Sequence, residues 1–172
     1  MTRSVKWILL AVTLAAATPS SGQARKLDAF LGEFQGGCTG SDEYGAFVAS
    51  LGEWYTSSGS LQNPIVAPEE IKKAMGPLRA VDRGEYVSIS VPLAGTFKGL
   101  PVSGLEFELG NENGIHTEAI LFASKLSEVR RLLGRSVVAS RKTLAKKFPN
   151  SVPSIDIVQE KGQVKILCIL SD

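Results

Sequence analysis

His116 is the only histidine in the chain, so it is the one imidazole available to acid–base catalysis, a serine-hydrolase triad or a zinc site. A triad also needs an activated serine, and neither G-x-S-x-G nor S-x-x-K occurs after residue 24. Zinc usually draws on several histidine or cysteine ligands. Here one histidine and two cysteines would leave carboxylates to complete the shell, and no H-E-x-x-H motif or calcium loop is present. His116 therefore reads first as an exposed or cross-strand histidine, and no metal is expected. Glu106 and Glu108 are a second candidate. In a strand they share one face with Cα atoms about 7 Å apart, within the range of paired glycosidase carboxylates. Such pairs normally come from different elements around a cleft, so two glutamates on one strand read first as its solvated face.

Cys38 and Cys168 are the only cysteines, and no C-x-x-C redox motif is present. The pairing expected of an exported chain is a single disulfide closing a loop of 131 residues. Trp54-Tyr55, ahead of the polar Thr56-Ser57-Ser58, could stack on a sugar, although core packing also accounts for such a pair. No glycine-rich phosphate loop occurs, so no nucleotide or other cofactor is implied.

The strongest signal is charge. Lys125–Lys147 holds eight basic side chains and one acid, Glu128, for a net +7. Arg130, Arg131, Arg135, Arg141 and Lys142 are its candidate binding residues, with Trp54 and Tyr55 as aromatic candidates elsewhere. Such a segment could meet an acidic protein, an anionic lipid face or a polyanion. It could also pair with acids of its own domain.

Elements to position these groups follow from periodicity. Ser41, followed by Asp42 and Glu43, caps a helix whose apolar stripe is Tyr44, Phe47, Val48, Leu51 and Tyr55. Pro68-Glu69-Glu70 opens a short helix stopped by Gly76-Pro77. Val87, Ile89, Val91 and Leu93 alternate with polar residues as a strand, and Gly95, Gly99 and Pro101 punctuate a turn. Leu105–Leu109 and Ile115–Ala123 form a hairpin about Asn111-Glu112-Asn113-Gly114. Ser124 caps a helix carrying Leu126, Val129, Leu132 and Leu133, which Gly134 ends. A second helical stretch runs toward Phe148, and Pro149 closes it. A last hairpin turns at Lys161-Gly162, with Ile166–Leu170 read as a strand covered on both faces. The order is α-α-βββ-α-(α)-ββ, an α+β domain with an antiparallel sheet of about five strands and helices on one face.

The N-terminus assigns a compartment. Arg3 and Lys6 precede an apolar run from Trp7 to Ala17, and no acid appears before Asp28. This is the pattern of a cleavable secretory signal over residues 1–24, followed by one domain over 25–172. The 11-residue run is about half a membrane span. Cys38 lies too far on for a lipoprotein, and the arginine pair of a twin-arginine signal is missing. Cleavage after Ala24 removes two of the 19 basic residues and none of the 17 acids, so the mature chain is neutral. A generally basic, nucleic-acid-coating protein is thereby excluded.

The functional expectation is an exported protein, periplasmic or secreted. It would be a non-enzymatic module docking an acidic protein or cell-envelope polymer through the basic helical face. The alternatives are an inhibitor of a secreted lytic enzyme, presenting Thr56–Gln62 or Ala94–Pro101, and a small hydrolase using His116 or Glu106 with Glu108.

Overall fold

The computed structural model describes residues 25–56, 64–110, 114–148 and 153–170. Residues 1–24, where a signal segment is expected, most of the Thr56–Gln62 loop and Asn111–Asn113 lie outside the described residues. Ser41 begins the first long helix as its composition requires: its Oγ accepts the Tyr44 amide at 3.1 Å and donates to the Phe30 carbonyl at 2.7 Å. Helix α2 (Asp42–Thr56) follows. Ahead of it lies a feature without a long periodic signature: a single turn, α1 (Asp28–Leu31), then a 3-10 turn over Phe34–Gly36. A second single turn, α3 (Glu69–Lys72), follows Pro68.

The sheet is antiparallel and has six strands in the order β1-β2-β3-β4-β6-β5. The strands are β1 (Arg79–Asp82), β2 (Tyr86–Phe97), β3 (Leu100–Gly110), β4 (His116–Phe122), β5 (Ser154–Glu160) and β6 (Gln163–Ile169). The additional strand is β1, whose four mostly exposed residues are too short to show an alternating pattern. Strands β2 and β3 extend through the region expected to be a turn, which shrinks to Lys98-Gly99, both at positive φ. Gly95 does not break β2. It admits the segment before α1, because a Cβ there would meet the Arg25 carbonyl oxygen at 2.6 Å.

One face of the sheet carries the core. Val87, Ile89, Val91, Leu105, Phe107, Ile120, Ile155 and Ile166 point into it, and Phe30, Phe34, Tyr44 and Phe47 pack above them. The ring centroids of Phe47 and Phe107 are 6.1 Å apart, edge to face. The Cys38–Cys168 disulfide joins the end of the 3-10 region to β6, with Cα atoms 5.8 Å apart. Among the described residues, the opposite sheet face carries no helix. Leu167 and Ile169 lie there half-buried, so β6 is interior to the sheet without being covered on both faces.

The other correction concerns α4 (Leu126–Lys147), one helix where two were expected. Gly134 does not end it. Val129, Leu133, Val137, Ser140 and Leu144 form one buried stripe across the glycine. That burial exceeds the roughly 1 kcal/mol a mid-helix glycine costs relative to alanine. The N-cap is Lys125 rather than Ser124, and its side chain makes no capping bond. Lys125→Asp would provide that bond and place a negative charge at the helix N-terminus. Stability is expected to rise by about 1 kcal/mol, read as a higher urea midpoint at unchanged slope.

Candidate functional site

Helix α4 lies over β5, the edge strand, with Ile155 and Ile157 beneath its buried stripe. At 100° per residue, Arg131, Arg135, Val138, Lys142 and Lys146 fall on the side opposite that stripe. All five are exposed, Val138 by 50%. Arg141 has a different role. Its Nη2 lies 2.6 Å from Asp156 Oδ1, and its Nε donates to the Ile155 carbonyl at 3.2 Å, fastening α4 to β5. Among the described residues, Arg130, Arg131, Arg135, Lys142 and Lys146 have no carboxylate within ion-pair range. Arg131 with Arg135, and Lys142 with Lys146, stand four residues apart. Each like-charged pair costs the helix roughly 0.2–0.5 kcal/mol.

Trp54 and Tyr55 do not join this face. Both are partly buried against the core at the C-terminal end of α2. The Tyr55 phenol is raised above its ordinary value by partial burial, then by the charge of Asp82 and a hydrogen bond to it. Asp82 belongs to β1, at the sheet edge opposite β5, so the aromatic pair and the basic helix occupy opposite flanks.

Glu106 and Glu108 lie on the helix-free sheet face, as period-two spacing requires. Lys165 crosses to Glu106 at 3.5 Å and to Glu160 at 2.8 Å, with only 13% of its side chain exposed. Burial alone would lower the Lys165 ammonium. The hydrogen bond to Glu160 and the charges of Glu106 and Glu160 outweigh it and raise the group overall. Glu160 is lowered by the same hydrogen bond and charge. The surroundings form a trough of about 220 Å³ floored by Ala119, Leu167 and Ile169, and a second hollow of about 550 Å³ adjoins it around Glu106, Glu108 and Gln163. Glu106 is thus tied into an ion-pair network.

His116 is half-buried and held by a chain of hydrogen bonds. Its Nε2 is 2.7 Å from Glu118 Oε1, and Glu118 Oε2 accepts the Tyr44 hydroxyl at 2.8 Å. A carboxylate only accepts, so the imidazole pair forms with the proton on Nε2. Glu118 is 5% exposed, in the row between Phe107 and Cys168. Sequence reasoning missed this cluster, although strand period places His116 and Glu118 on one face. The nearby Ser41 Oγ is committed to capping α2 and to the Phe30 carbonyl. The adjoining groove, about 410 Å³ between Thr39 and Ala49, is shallow and mostly apolar. Burial, then the Glu118 charge, then the hydrogen bond hold the Tyr44 phenol well above its ordinary value.

Among the described residues, no three His, Cys, Asp or Glu side chains gather as a metal site. None of their helices is long and apolar enough to cross a membrane. Ala94–Pro101 is strand with a two-residue turn, not a protruding loop. No family model, curated protein or solved structure matches this chain.

Proposed function

We propose that the protein is an extracytoplasmic, non-enzymatic binding module that docks an acidic protein or anionic envelope polymer through the outer face of α4. The observation that carries this reading is the row of cations on that face with no acidic partner among the described residues. The domain retains like-charged neighbours that cost it stability, and an external anion would remove that cost. A disulfide between the only two cysteines suits an oxidising compartment, as does the signal-like N-terminus.

The test is charge reversal of Arg131, Arg135 and Lys142 to glutamate, followed by co-sedimentation with the native envelope fraction. These side chains point away from the core, so the thermal midpoint should stay within a few degrees of the unmodified protein. Association should fall at least tenfold. Envelope association unchanged by the triple reversal would sink the reading. Arg141 is left out because it fastens α4 to β5.

A further inference from the structure

Gly134 has no internal explanation. It sits in the middle of a 22-residue helix, where glycine is less favourable than alanine. It does not stop the helix, and no close approach requires it: a Cβ there would meet only the Arg130 Cβ, at 4.0 Å, an ordinary contact. Gly95 shows the contrast, where a Cβ would strike backbone. Gly45 and Gly52 in α2 are as open as Gly134, but α2 carries no basic residue, and what sets Gly134 apart is the cations that surround it. The fold therefore accepts alanine at 134, and the chain carries a gap instead.

The gap opens outward. Arg130, Gly134, Val138 and Lys142 form one four-residue row on α4, and Arg135 and Ala139 belong to the next. Between the rows runs a shallow groove of about 520 Å³ lined by these six residues. The missing side chain notches the first row, so a ligand could reach the helix surface there. Arg130, Arg135 and Lys142 surround the groove without acidic partners among the described residues. From Arg130 to Lys142 the cations cover about 18 Å of helix axis. That is too long for one small anion and suits successive charges of a chain lying along the helix.

The groove also distinguishes kinds of polyanion. A polymer with charge on flexible side arms can reach the arginine and lysine tips without touching the helix, and a flat anionic membrane meets only those tips. A polymer whose charge lies in its own backbone must come down between the rows. Phosphate in such a backbone offers oxygens to both the arginine fork and the lysine ammonium.

Building on the reading of α4 as the docking face, we propose that the Gly134 groove binds a linear polymer with phosphate in its backbone. The glycine is kept so that this backbone can approach the helix. The experiment is direct titration of the disulfide-bonded protein with inorganic polyphosphate, with poly-glutamate of equal charge, and with phosphatidylglycerol vesicles. Polyphosphate should bind tightest. Gly134→Ala should weaken it roughly tenfold while raising the melting midpoint by about 2–4 °C, the opposite signs expected of a glycine kept for a ligand. Arg130→Gln with Lys142→Gln should weaken it more and leave the midpoint nearly unchanged.

Unchanged polyphosphate affinity in Gly134→Ala would overturn the groove. So would poly-glutamate or the vesicles binding as tightly as polyphosphate. In either case α4 would remain a general cationic dock, and the proposed function would stand. Absence of binding to all three probes would also overturn the groove. The proposed function would fail as well only if envelope association survived the triple charge reversal.

Discussion

Replacing both Cys38 and Cys168 by alanine is expected to destabilise the protein by about 4 kcal/mol, the largest effect of any change considered. The bond spans 130 positions of sequence, and closing so long a loop removes much of the freedom of the unfolded chain. For a domain of this size the loss amounts to a drop of roughly 10 °C in melting midpoint. Reduction of the unmodified protein should reproduce it. The native contacts add to the effect. Cys38 ends a stretch in which Phe30, Leu31 and Phe34 are fully or almost fully buried, yet the stretch holds its place with only single helical turns. Urea unfolding with and without reductant decides the matter. A difference below about 1 kcal/mol would mean that the unfolded chain is already restrained without the bond.

Glu118 is the second position where a large effect is expected, and there the contrast between variants carries the information. Glu118→Ala leaves the buried Tyr44 hydroxyl without an acceptor and opens space beside Phe107. A loss of about 3 kcal/mol is expected from the orphaned group and the cavity together. Glu118→Gln keeps an oxygen for Tyr44 and presents an amide to His116, whose neutral ring can switch tautomer to accept it. That variant should remain within about 1 kcal/mol of the parent. Equal losses in the two would show that the charge of Glu118, and not its hydrogen bonds, stabilises the fold. Tyr44 extends the expectation to alkaline pH. The folded state favours its neutral phenol, so its contribution is complete below the ordinary value of 10.0. It declines as pH rises from there through the higher folded value. Phenolate absorbance of the folded protein, compared with that of Tyr44→Phe, should show the Tyr44 phenol titrating well above its ordinary value.

The elements with a local cause were legible in the sequence. Ser41 and the acids after it announce α2, Lys161-Gly162 announces the β5–β6 turn, and two cysteines in a chain with a signal-like start announce their bond. Features set by tertiary contact were not. Gly134 resembles a helix stop until the stripe from Val129 to Leu144 is seen to lie on one surface. Ile166–Leu170 is apolar enough for a strand covered on both faces, but only the fold shows that Leu167 and Ile169 face outward. Neutrality over residues 25–172, with 17 basic and 17 acidic side chains, is compatible with the α4 cations pairing internally. In the structure, Arg141 with Asp156 is the one such pair among the described residues of that helix. The Tyr44–Glu118 contact joins positions 74 apart, a separation that periodicity does not address.

The position of β6 bears on the timing of folding. It is the last of the six described strands in chain order, yet it lies inside the sheet, hydrogen-bonded to β4 on one side and β5 on the other. A chain emerging N-terminus first therefore has β1 to β4 in hand with an open edge on β4, and β5 has nothing to pair with. The sheet closes only when the residues after Gly162 arrive. The sulfur of Cys168 arrives with them, so oxidation is a late event that seals a finished sheet and does not guide its assembly. Until then the apolar rows of β4 and β5 are exposed together, and the emerging protein is most vulnerable to aggregation before β6 joins the sheet.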